Sequence, residues 1–200
     1  MAGWTKSEKI AAFSAAIAAV SAAGAILVFG LGVSQYRASE NWKRSEFVAA
    51  QIKEFNADKI NRSVLLMMDY DSARVELFPE KTKVGDRYVD VEFRTLINAI
   101  NKEKGTSEVE FQIRIYFEHL LTALSRFNYF LDSGAIAPKE LCADFSYPVE
   151  LMTGTAREMK LQNTGVDIAP FSKAVHDYLA RWQYSDITNF LGKIQKACKQ

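Results

Sequence analysis

Reactive and punctuating residues are scarce in this 200-residue chain, which holds two cysteines, two histidines and four prolines. Cys142 and Cys198 are far apart, so neither a disulfide framework nor a metal-binding Cys-x-x-Cys pair is legible, and both are expected as reduced thiols. His119 and His176 form no His-Glu-x-x-His pattern. Each has an acidic neighbour, Glu118 and Asp177, and structural roles are expected for both. No glycine-rich phosphate loop follows a strand, and no serine stands in a nucleophile elbow. Neither sign of charge is in excess: 25 basic and 24 acidic residues leave a formal charge of +1, giving no overall electrostatic case for nucleic acid. The sequence therefore assigns no catalytic, cofactor-binding or metal-binding residue, and no cofactor.

What the chain does have is a long apolar run. From Ile10 to Val33 no side chain carries a charge. As a helix this run would be about 36 Å long, against a bilayer hydrocarbon core of roughly 30 Å. Trp4 before it, and Tyr36 and Trp42 after it, suit the two headgroup layers. Thr5 and Glu8 have capping-box spacing. A cleaved signal peptide is the first competing reading, because Lys6 and Lys9 form a basic start and Ala23-Gly24-Ala25 resembles a cleavage site; the apolar run continues past that site. A buried core helix is the second, opposed by the lack of any polar face. The expected order is an N-terminal flank over 1–9, a transmembrane helix over 10–33, a stalk helix over 34–58 and a helical soluble domain over 59–200.

Ala11, Ala15, Ala19 and Ala23 form a ridge of small residues along one side of the span, where two helices could approach closely. Self-association, or pairing with another membrane protein, is the expectation. Lys6 and Lys9 precede the span, whereas Arg37, Lys43, Arg44 and Lys53 follow it, so the C-terminal domain is expected in the cytoplasm of a cell whose inner membrane holds the anchor. The Asn61-Arg62-Ser63 sequon is the contrary hint.

The fold class expected is mainly α. Trp42, Phe47, Val48, Ile52 and Phe55 give the stalk an apolar stripe, and Val64 to Met68 read as a buried helix. Alternation in ARVELF and RYVDVEF, either side of PEKTKVGD, fits a small hairpin over 73–93; an irregular connection with helix resuming near Asp90 fits equally. The carboxylate pairs Asp69 with Asp71 and Asp90 with Glu92 read as solvated. A long helix over 108–133 is expected as the centre of the core. Ser107 and Glu110 make its capping box, Gly134 its stop, and Ile113, Phe117, Leu120, Leu124, Phe127 and Leu131 its buried face. Pro138 should open another helix that Pro148 interrupts or kinks; Pro170 opens the penultimate helix, and Ser185 or Asp186 caps the last.

The span, the charged stalk, the helix FQIRIYFEHLLTALSRFNYFLDSG and the following AIAPKELCADFSYPV resemble a loosely defined group of uncharacterised bacterial single-pass membrane proteins with a short cytoplasmic helical domain. The resemblance implies location and architecture, and no site residues. Function then reads as a membrane-tethered interaction module with a cytoplasmic protein partner. The alternatives are a membrane-acting effector of defence or toxin type that oligomerises through its span, and a membrane-bound enzyme. A water-filled pocket lined by His119 or His176 with converging carboxylates would count against the module and for the enzyme.

Overall fold

The computed structural model describes residues 6–101, 107–155 and 167–199, the side chains of 7–23 and 25–27 excepted. The chain divides into two compact units, Met1–Phe47 and Val48–Gln200. Helix α1 covers Lys6–Ala57, so the backbone over the expected span and stalk is helical. Among the described residues no helix is long and apolar enough to cross a membrane. The alanine ridge, Trp4 and the Thr5 cap lie outside the described residues or side chains. Tyr36 and Trp42 are exposed, and in the second unit Val48 and Phe55 are buried.

Asp58 separates α1 from α2 (Lys59–Asp69) and caps the second helix: its Oδ1 accepts hydrogen bonds from the amides of Ile60 and Asn61 at 2.8 and 2.9 Å. Val64, Met67 and Met68 are buried, as their apolar run suggests, while Leu65 and Leu66 are half-buried. Strands β1 (Ser72–Glu76) and β2 (Tyr88–Glu92) then pair antiparallel, from Ser72 opposite Glu92 to Glu76 opposite Tyr88. A short helix α3 (Val84–Arg87) lies between them. Both sequence alternatives thus contribute: a hairpin forms, and α4 (Phe93–Asn101) resumes directly behind it. Asp90 and Glu92 lie on a strand, where residues two apart share a face, and both are exposed.

Helix α5 (Glu108–Asp132) is the centre of the second unit. The Ser107 hydroxyl accepts from the Glu110 amide at 3.1 Å, and the Glu110 carboxylate accepts from the Ser107 amide at 3.0 Å, completing the capping box. Gly134 adopts φ +73° just beyond the helix, with open space around its Cα. The inward face of α5 buries Ile113, Phe117, Leu120, Leu124 and Phe127. Phe127 meets Phe55 and Phe145 at ring separations of 5.7 and 4.9 Å, and Phe145 also meets Phe190 at 5.7 Å, so one aromatic cluster ties four helices together. The outward face steps through Phe111, Ile115, His119, Thr122, Arg126 and Tyr129, all exposed.

A 3₁₀ turn at Pro138–Leu141 leads into α6 (Cys142–Thr153), which continues through Pro148 rather than stopping there. It ends at Gly154, φ +67°, where a Cβ would lie 2.6 Å from the Ser172 hydroxyl. Helix α7 is Ala169–Arg181, with Pro170 in its first turn, and α8 is Ser185–Cys198. Neither expected cap serves α8. The residue before it is Tyr184, which makes no side-chain cap bond, and the Asp186 carboxylate instead accepts from the Ser125 hydroxyl of α5. The reading of reduced thiols is corrected: Cys142 and Cys198 form a disulfide, with Cα atoms 5.5 Å apart across 56 residues of sequence. Packing of α6 against α8 brings the start of one beside the end of the other, a proximity that spacing alone cannot reveal.

Candidate functional site

The end of α1, the start of α2 and the outward face of α5 enclose a cleft of about 230 Å³. Glu54, Asp58, Asn61, His119, Thr122 and Arg126 supply its polar lining, and Phe55, Ala123 and Phe127 the apolar part. His119, Thr122 and Arg126 share one side of α5 because their spacing of three and four matches the helical repeat.

Asp58 joins local folding to this site. While Oδ1 holds two α2 amides, Oδ2 lies 3.1 Å from His119 Nε2. An ionised carboxylate only accepts, so Nε2 is the donor in this contact. Burial alone would push the Asp58 carboxyl up, but the Asn61 amide, the His119 ring and the Ile60 amide outweigh it and hold the group below its ordinary value. Arg126 is engaged as well: its guanidinium donates to Glu54 and to Gln51, both at 3.1 Å. Asn61 is only 2% exposed, which removes the sequon as a glycosylation site in the folded chain. Its Oδ1 is buried without a hydrogen-bond partner, the single such side-chain atom among the described residues.

The acidic neighbours in sequence are not the partners in space. Glu118 accepts from the Tyr178 hydroxyl at 2.5 Å rather than serving His119. Burial first, and then the Glu118 carboxylate, push that phenol up. His176 lines a different groove, of about 610 Å³, beside Ser172 and Lys173 on α7. Asp69 accepts from the Tyr147 hydroxyl at 2.8 Å. Among the described residues no three His, Cys, Asp or Glu side chains gather to hold a metal ion. Sequence reasoning singled out His119 but missed Asp58 and Asn61. The one local signal for them was Asp58 standing as a cap between two helical patterns.

No protein-family model matches the chain, and it matches neither a curated protein nor a solved structure.

Proposed function

We propose that the chain is a membrane-tethered recognition module: residues 10–33 span a bilayer, and the helical domain takes a partner's hydrogen-bond donor into the cleft between Asp58, Asn61 and His119. The observation that carries this reading is Asn61, which lines the cleft and whose Oδ1 is buried without a hydrogen-bond partner. A buried acceptor left unpaired costs roughly 1–3 kcal/mol, so an occupant that donates to it is favoured. Glu54 and Asp58 border the same space, which suits an amide or a cationic side chain. For the anchor, support comes from Val28, Phe29 and Leu31, apolar side chains 71%, 74% and 64% exposed on α1, as lipid-facing residues would be.

The basic residues after the span argue for a cytoplasmic domain and an inner-membrane anchor. The Cys142–Cys198 bond argues the other way, because disulfides persist in oxidising compartments. We keep the cytoplasmic placement as the proposal; protection of a C-terminal tag from protease added outside the cell decides it. Self-association through Ala11, Ala15, Ala19 and Ala23 belongs to the same proposal and should weaken when Ala15 and Ala19 become Leu.

The cleft is tested with the full chain in its membrane, carrying a photo-crosslinking residue at position 122. The expected result is a discrete adduct that disappears on Asn61→Leu; no adduct, or one indifferent to Asn61, overturns the proposal. The His119–Asp58 pair supports a second reading, a membrane-bound hydrolase or transferase with His119 as general base. Turnover of ester or phosphoester substrates that is lost on His119→Gln would favour it.

A further inference from the structure

Apart from the His119 cleft, we infer that a second cleft, between α2 and the β1–β2 hairpin, binds a phosphate ester carrying two or more negative charges. This cleft has a volume of about 560 Å³, and four cations line it: Lys59 and Arg62 from α2, Arg74 from β1 and Arg87 from the end of α3. Glu76 is the one carboxylate in the lining. Four against one departs sharply from the near balance of 25 to 24 over the whole chain, so the enrichment is local.

The convergence of these four cations on one concave space separates the cleft from an ordinary charged surface. Some cations at other places are paired, as Arg126 is with Glu54 and Lys193 with Asp132. Among the described residues the side chains of Lys59, Arg62 and Arg74 have no ion pair or hydrogen bond, although the strand register sets Asp90 opposite Arg74. Arg87 is oriented by its Nε, which donates to the Lys81 carbonyl at 2.7 Å and leaves the terminal nitrogens of its fork for another acceptor. Guanidinium forks match phosphate oxygens in pairs, and cations converging in a concave site with low-dielectric walls focus potential there. Leu66, Val75 and Pro79 add an apolar floor, and the partly exposed Tyr88 ring a flat wall, so there is room for an organic group beyond the phosphate. The hairpin side is braced by Tyr116 of α5, whose hydroxyl donates to the Glu76 carbonyl at 3.0 Å.

A soluble phosphoester and a phospholipid headgroup share this chemistry. The full chain in phosphatidylcholine nanodiscs is titrated calorimetrically with ADP and with pyrophosphate. A parallel preparation in nanodiscs containing phosphatidic acid, whose headgroup is a phosphomonoester, is followed by phosphorus NMR. The paired variant Arg62→Gln with Arg74→Gln is compared with Arg94→Gln plus Lys173→Gln, which removes the same charge outside the cleft. Saturable binding of ADP or pyrophosphate, weakened roughly tenfold or more by the first pair and little by the second, is the expected result. If only the phosphatidic acid signal shifts, and the first pair abolishes the shift, the source is lipid. No binding in either arm, or equal losses from both pairs, overturns the inference.

Discussion

Two of the clefts that border α2 differ in how their charges are used. On the α5 side Asp58 accepts from His119 and Glu54 pairs with Arg126, so these polar groups are matched within the protein and the group left wanting is a neutral amide oxygen. On the hairpin side Lys59, Arg62 and Arg74 line one cleft with no partner among the described residues, and the group left wanting is an anion. One helix therefore presents two unlike demands within a single turn, Asn61 to one cleft and Arg62 to the other. Net charge conceals this, because it averages over faces that point in different directions.

The strongest way to break the contrast is to remove what both clefts stand on. Phe145, 1% exposed, contacts Phe55, Phe127 and Phe190. Phe145→Ala should cost about 3–5 kcal/mol in chemical denaturation and abolish binding at both clefts together. Losing one cleft alone would show that they are supported independently.

The next effect should leave the contrast intact. Replacing Cys142 and Cys198 with Ser opens a cross-link that lines neither cleft, and should cost about 2–4 kcal/mol in denaturation while binding at both is retained. Non-reducing electrophoresis of the wild-type chain from intact cells adds a second result: an oxidised pair there would move the domain to an oxidising compartment.

Asn61→Leu sharpens the contrast at smaller scale. With the empty cleft, replacing an unpaired buried acceptor by an apolar group of similar size should stabilise the chain by about 1 kcal/mol, while crosslinking at the His119 cleft fails and ADP binding at the hairpin cleft is unchanged. A clear loss of stability would mean that Asn61 Oδ1 is satisfied in solution.

The smallest effect is a pH dependence. The Asp58 carboxyl is held below its ordinary value of 3.8, so its stabilising contribution is complete above that value and is lost as pH falls through the lowered one. Asp58→Asn keeps a good helix cap but no titrating group, and denaturation midpoints should fall less steeply in acid than for the wild type. Identical acid profiles would show that the carboxylate contributes nothing measurable.

Local grammar accounts for most of what the sequence disclosed. Ser107, Glu110 and Gly134 bound α5 to within a residue, because caps act within a single turn. The alternation around Pro79 to Asp86 was ambiguous because a short helix interrupts the hairpin before its second strand. Neither cleft was legible, since Asp58 meets His119 across 61 residues and the four cations come from positions 59, 62, 74 and 87 without forming a run. The disulfide and the diversion of Asp186 to Ser125 are likewise products of packing between distant helices.

Gly134 and Gly154 both hold left-handed backbone, yet they would answer differently in a library of single substitutions. At 134 the demand is conformational only, so Asn, which tolerates that region, should be admitted at little cost. At 154 the missing methyl is also the clearance between α6 and α7, with Ser172 filling the space where a side chain would stand. That position is a size gauge for the approach of two helices, and shortening Ser172 to Gly should be what first lets Ala in.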